Sequence, residues 1–273
     1  MTILVTGATG NVGRPLVERL LADGHRVRAL TRDPRRAGLP AGAEVVAGSL
    51  TEPAGLAGAF DGVTAVHLIS FGGDYAPLTT GPQLMDLAAA AGVRRVTVLK
   101  GDVEPTDLDR AVEDSGLDRT LLMPVEFMSN TLEFAGSVRD EGVVREGFAS
   151  AKSALVHDAD IAAVAAVALT SEGHGGREYW LTGPEVLTPP DKARIIGEVL
   201  GREVRYVELS RDEVVAQWRA QGFGDDDIAF FLTMRTDPPA AGRTVLPTVE
   251  EITGRPARTF AQWVREHAAH FGG

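Results

Sequence analysis

The sequence predicts a doubly wound α/β fold, a parallel sheet with helices on both faces, and three observations predict it. The chain opens with a short β-branched apolar run over residues 1–6. It passes straight into Gly7-Ala-Thr-Gly10-Asn-Val-Gly13 and then into an amphipathic pattern carrying Leu16, Val17, Leu20 and Leu21. Behind it, apolar runs alternate with helix-like stretches, the rhythm of successive βα units with right-handed crossovers. Finally, Gly24, Gly62, Gly92 and Gly116 each fall where a helix should end, as a left-handed cap requires.

Taken in order, the predicted strands are residues 3–6, 26–31, 44–47, 65–70, 95–100 and 119–123. The helices between them are 12–22, 52–60, 81–91 and 106–115. Several of the strands are almost continuously apolar, as expected when both faces are covered. From about residue 125 the rhythm changes. Helices are predicted over 158–169, 190–200, 211–221, 225–234 and 259–270, with short strands at 178–181 and 204–208 and a Pro/Gly-rich connection at 235–247. The last helix carries Phe260, Trp263 and Phe271 on one face. No repeat or low-complexity linker interrupts the chain. The organisation predicted is a nucleotide-binding domain over 1–155, with later segments adding to its sheet, and a smaller, mostly helical substrate lobe over 156–273.

Strand, glycine loop and helix in immediate succession are what a dinucleotide pyrophosphate needs, the Rossmann arrangement. Gly7 permits the tight turn, Gly10 lets the backbone approach the phosphates, and Gly13 lets the helix pack close to the strand. Thr9, Asn11 and Val12 complete the loop as cofactor-binding residues, and the helix start favours negative charge. The end of the second strand selects the cofactor. An NAD-type site places Asp or Glu there for the ribose 2′-hydroxyl. This chain has Thr31-Arg32 instead, followed by Arg35 and Arg36. Guanidinium groups pair with a 2′-phosphate, so NADP(H) is expected over NAD(H). Asp33, next to Arg32, is the one feature that speaks for the other cofactor.

Composition narrows the function classes. The absence of cysteine excludes disulfides, thiolate–metal sites and cysteine nucleophiles. A net charge of −11 argues against nucleic acid and anionic membranes as partners. The six histidines lack metal-site spacing, so no metal is expected. No apolar run is long enough to span a bilayer, and the opening run is far too short for a signal-peptide core. A cytoplasmic enzyme, monomeric or homodimeric, is the expectation.

Four stretches resemble the NmrA-like group of atypical short-chain dehydrogenases/reductases, which includes NADPH-dependent quinone reductases. They are Val5-Thr-Gly-Ala-Thr-Gly-Asn-Val-Gly13, Ala29-Leu-Thr-Arg-Asp33, Ser115-Gly-Leu-Asp-Arg-Thr-Leu-Leu-Met-Pro-Val-Glu-Phe-Met-Ser-Asn130, and His157-Asp-Ala-Asp-Ile-Ala-Ala-Val-Ala165 with Tyr179-Trp-Leu-Thr-Gly-Pro-Glu185. The resemblance implies NADP(H) held by the glycine loop and Arg32, with substrate between the sheet's C-terminal edge and the smaller lobe. It places Ser49 and Leu50 beside the adenine. It also puts Pro124 and Phe127, with Met128, at the nicotinamide pocket, although Phe127 and Met128 could equally be core. Ser70, ending the fourth strand, is a candidate for the cofactor ribose or pyrophosphate, or else a simple strand-end cap.

The chain departs from the short-chain pattern where acid catalysis is concerned. A Tyr-x-x-x-Lys pair normally supplies the proton. Here Tyr75 is followed by Thr79, Tyr179 by Gly183 and Tyr206 by Ser210. The group's arginine before the proline is Met123, and its Gly-Asp-Leu is Gly48-Ser49-Leu50, which removes one adenine contact. Two other proton donors are candidates. Lys100 ends the fifth strand and is one of only three lysines among 27 basic residues. It could protonate or stabilise a developing alkoxide; the alternatives are a ribose contact or a salt bridge to Asp102 or Glu104. Tyr75 lies in the loop after the fourth strand. The expected activity is hydride transfer from NADPH to a ketone or quinone of a planar, apolar molecule, such as an aromatic polyketide of secondary metabolism. Such a ketoreductase could draw its proton from Lys100, water or the substrate's own hydroxyl. A redox sensor that binds NADP(H) without turnover is the alternative, as is a non-redox epimerase, isomerase or lyase.

Overall fold

A computed structural model describes residues 1–71, 76–101 and 104–273. In chain order its first half contains β1 (Thr2–Val5), α1 (Gly13–Ala22), β2 (Arg26–Thr31), β3 (Ala43–Ala47), α2 (Ala57–Phe60), β4 (Ala65–Ile69), α3 (Gly81–Ala91), β5 (Arg95–Leu99), α4 (Asp107–Asp114) and β6 (Asp118–Pro124). There follow α5 (Ala135–Glu141), β7 (Val143–Gly147), α6 (Asp158–Thr170), β8 (Arg177–Leu181), α7 (Pro189–Leu200) and β9 (Arg205–Leu209). The chain closes with α8 (Arg211–Ala220), α9 (Asp225–Thr236), α10 (Thr248–Thr253) and α11 (Phe260–Glu266).

Seven strands pair in parallel in the order β3-β2-β1-β4-β5-β6-β8. Because the strands are parallel, the loops after β1, β2, β4 and β5 all leave at the C-terminal edge, and the order reverses beside β1, the place on that edge where such sheets bind ligands. Apolar burial holds the layers together. Leu4, Val66, Val96 and Val98 pack with Leu84, Leu108 and Val112 of α3 and α4, while α1 packs beside α6. His67 in β4 is enclosed in this core with Nδ1 2.8 Å from the Thr97 hydroxyl, and burial pulls its pKa down to about 4. It is therefore neutral at physiological pH.

Contacts group the chain into two units. The first comprises Met1–Pro124, Asp158–Leu181 and Glu251–Gly254; the second comprises Val125–His157, Thr182–Glu250 and Arg255–Gly273. The crossing falls at Pro124, not near residue 155, and α6 with β8 returns to the sheet unit. The second unit is mostly helical, with the expected short strand β9 paired in parallel to β7, which the sequence pattern did not predict. Its core gathers Phe260, Trp263 and Phe271, all fully buried, with the first two rings stacked at 6.0 Å.

Other elements differ from the sequence expectation for local reasons. The helix expected over 52–60 is reduced to α2 behind a tight turn at Pro53–Gly55, because Pro53, Gly55 and Gly58 weaken it. The closing helix ends at Glu266 and tightens into a separate turn, Ala268–Phe271. The 235–247 connection is partly structured, since α9 runs to Thr236 and Ala240–Arg243 form another turn.

Candidate active site

The glycine loop follows from local sterics. Gly7 has φ +58°, a left-handed conformation only glycine adopts freely, and its carbonyl accepts from Gly10 N–H at 2.9 Å. A Cβ on Gly13 would lie 2.1 Å from that carbonyl, so the helix start packs against the turn with no room for a side chain. Thr9, Gly10 and Asn11 are exposed along the rim, whereas Val12 is 3% exposed, leaving only its backbone to face a ligand. The start of α1 has no side-chain cap and no acidic residue in its first turn. Its positive end is thus left for an external anion, as a pyrophosphate requires.

The loop after β2 carries Arg32, Arg35 and Arg36, all exposed. No hydrogen bond or ion pair engages their guanidinium groups among the described residues. Asp33 is occupied, because its carboxylate accepts from the backbone N–H of Arg35 at 3.1 Å and caps the turn Pro34–Arg36. The carboxylate beside Arg32 therefore serves the loop itself.

The remaining candidates are distributed differently. Ser49 shares its hydroxyl with Thr51 at 2.7 Å. Leu50 is in the core, and its carbonyl accepts from Thr80. Ser70 is buried, and its hydroxyl oxygen accepts from Gly101 N–H at 3.0 Å, tying the end of β4 to the end of β5. Pro124 ends β6 in the first unit. Phe127 is half-buried in the second unit and bridges to Val156, while Met128 is 1% exposed and belongs to the core. Tyr75 lies outside the described residues.

Lys100 is 6% exposed, and its ammonium is closed off. It is paired with the Asp109 carboxylate and donates to the Glu104 carbonyl at 3.0 Å. Asp109 also accepts from Thr106 N–H at 2.7 Å as part of the capping box that starts α4. Of the two acids nearest in sequence, Glu104 offers its backbone carbonyl, and Asp102 lies outside the described residues. Among the other tyrosines, Tyr179 shares a hydrogen bond with His174 at 2.8 Å, and burial raises its pKa. Tyr206 donates to the Glu146 carbonyl, and burial, with Glu208 and Glu146 nearby, pushes its pKa to about 12.

The second unit holds a buried charge network that sequence reasoning missed. Lys192, 3% exposed, meets Glu146 at 2.7 Å and Glu126 at 3.8 Å; Arg235 meets the same two at 3.1 and 3.6 Å. Burial would raise the Glu126 pKa, but Lys192, Arg235 and a Ser153 hydrogen bond hold it below the usual range. Its signal in the sequence was faint: Lys192 is one of the rare lysines. No group of His, Cys, Asp or Glu among the described residues is arranged to hold a metal, and no described helix is long and apolar enough to cross a membrane.

The NAD(P)H-binding family matches residues 7–172. The chain is 40% identical to a (4-alkanoyl-5-oxo-2,5-dihydrofuran-3-yl)methyl phosphate reductase of Streptomyces griseus, over 98% of this chain and 99% of that one. It is 33% identical to an NAD(P)H azoreductase of Xenophilus azovorans, over 99% of each. Among solved structures it resembles the Escherichia coli NADPH-dependent quinone oxidoreductase in complex with NADPH, with a TM-score of 0.76 and 28% identity over 97% of this chain and 99% of that one. With a family match across more than half its length and a 40% identical relative from end to end, the chain belongs to the NAD(P)H-binding family, as an oxidoreductase of the atypical short-chain, NmrA-like kind.

Proposed function

We propose that this reductase uses NADPH to deliver hydride to a flat, conjugated, electron-poor acceptor, a quinone or conjugated ketone on an apolar body. The observation that carries this reading is the occupation of the described proton donors. Lys100 is paired with Asp109, Tyr179 with His174 and Tyr206 with a backbone carbonyl. An isolated ketone would form a localised alkoxide needing an acid close by. A quinone or conjugated ketone spreads the incoming electron pair onto oxygen as a stabilised phenolate or enolate, which water or a neighbouring phenol then protonates. The relatives fit this class, being named for a dihydrofuranone bearing oxo and alkanoyl groups, for azo compounds and for quinones.

When bound, the nicotinamide supplies the hydride; the chain supplies placement. Gly7, Gly10 and Gly13 open the backbone to the pyrophosphate, with Thr9 and Asn11 on the rim. Arg32, aided by Arg35 and Arg36, takes the 2′-phosphate, and Asp33 offers no repulsion there beyond that of a carboxylate already turned to the loop backbone. The test follows loss of reduced-nicotinamide absorbance against a panel of quinones, conjugated ketones and simple ketones, with Arg32→Ala beside wild type. Turnover confined to conjugated acceptors, and a raised KM for NADPH in the variant, is expected. Equal turnover of simple ketones would sink the acceptor class, and NADH serving as well as NADPH would sink the cofactor choice.

A further inference from the structure

Arg14 directly follows the last glycine of the phosphate loop, yet its side chain leaves the α1 surface for a different segment. Its Nη1 donates to the Gly38 carbonyl at 2.6 Å and its Nη2 to the Ala37 carbonyl at 2.8 Å. Those two carbonyls close the loop that Arg32 opens. Ala37 is 2% exposed, and Gly38 has φ +55°, where the backbone turns in a left-handed conformation. At the other end, Asp33 holds the turn Pro34–Arg36 through the backbone N–H of Arg35. The arginine loop is therefore pinned twice, by a carboxylate on an amide and by a guanidinium fork on successive carbonyls. Arg32 directly precedes the first pin, and Arg35 and Arg36 lie between the two; among the described residues nothing engages their guanidinium groups.

We infer that Arg14 is a specificity-determining positioning residue: by bracing residues 37 and 38 against the phosphate helix, it presets the arginine loop for a 2′-phosphate and so favours NADPH over NADH. The inference rests on the NADPH reading above. Its physical basis is preorganisation. A loop ordered before binding gives up less conformational freedom when its guanidinium groups meet the phosphate. The geometry favours arginine, because a planar fork aims two N–H groups at the two carbonyls in fixed directions, whereas the rotating donors of a lysine ammonium hold them less firmly. NADH lacks the 2′-phosphate, so its binding does not draw on this part of the loop.

The experiment measures dissociation constants of the full-length protein for NADPH, NADH and 2′,5′-ADP, in wild type, Arg14→Ala, Arg14→Lys and Arg32→Ala, with thermal unfolding alongside. Arg14→Ala should weaken NADPH and 2′,5′-ADP about tenfold or more and leave NADH within about twofold. Arg14→Lys should show the same split at smaller size, and it serves as the deciding variant if the alanine protein folds poorly. NADPH and NADH weakened by one common factor would make Arg14 a general support of the phosphate helix and overturn the inference. Arg14→Lys matching wild type would overturn it too, since charge alone would then suffice. Failure of the underlying reading looks different: wild type would hold NADH as tightly as NADPH, and Arg32→Ala would change neither selectively. A selective loss in Arg32→Ala without one in Arg14→Ala would remove the brace alone.

Discussion

Two loops at the same edge of the parallel sheet carry conspicuous cations and use them in opposite ways. After β2, three arginines stand exposed with their guanidinium groups unengaged among the described residues. After β5, Lys100 is buried, and its ammonium is already spent on Asp109 and the Glu104 carbonyl. Rarity of residue type drew attention to Lys100, but partner accounting decides whether a charge is available. A paired buried cation belongs to the frame, whereas an exposed unpaired one at a strand end can meet an anionic ligand.

The sharpest way to break this comparison is Lys100→Ala. It leaves Asp109 buried without its cation, and removing one member of such a pair costs about 3–5 kcal/mol. Urea unfolding should show that loss, while KM for NADPH and kcat of the folded fraction stay close to wild type. A fall in kcat with an unchanged unfolding midpoint would return Lys100 to the catalytic role. Gly13→Ala comes next. Its Cβ has only 2.1 Å to the Gly7 carbonyl, so helix and turn must part. About 1–3 kcal/mol of stability should go, by analogy with overpacked cores, together with most NADPH binding. Calorimetric titration showing normal affinity would mean the loop relaxes without consequence. Arg32→Ala is the counterpart on the open loop. Its stability should remain within about 0.5 kcal/mol, while NADPH binding weakens about tenfold.

The difference between the loops also marks how far the sequence could be read. Residues whose fate is decided locally were legible: β2 runs over the six residues expected, and the left-handed Gly7 and the crowding at Gly13 follow from the turn itself. The Thr106–Asp109 capping box has a readable spacing, but that Lys100 joins it depends on the end of β5 lying over the start of α4. Likewise β7 was missed because Val143-Val-Arg-Glu-Gly147 offers two apolar residues and then charge. Glu146 is tolerable inside only because Lys192, 46 positions on, and Arg235 reach it. Nothing within ten residues of Glu146 announces those partners.

A smaller effect tests the balance of charge in the second unit. Lys100 is paired with the Asp109 carboxylate, whereas Lys192 and Arg235 face three carboxylates: Glu126, Glu133 and Glu146. Arg145 lines a recess with Glu133, Glu146 and Arg235 and is taken by Glu141 at 3.0 Å. The surplus falls on Glu133. Its side chain keeps contact with water, yet the surrounding protein and then the Glu146 charge raise its pKa from 4.5 to about 7, against the pull of Lys192 and Arg235. A carboxyl whose pKa is higher in the folded than in the unfolded state binds its proton more tightly when folded. Its stabilising contribution is therefore complete below about pH 4.5 and is lost as the pH rises through about 7. Unfolding midpoints measured across that window should fall with rising pH in wild type, relative to a Glu133→Gln variant that cannot ionise there. Equal slopes in the two proteins would mean that Glu133 is not the group that titrates across this window.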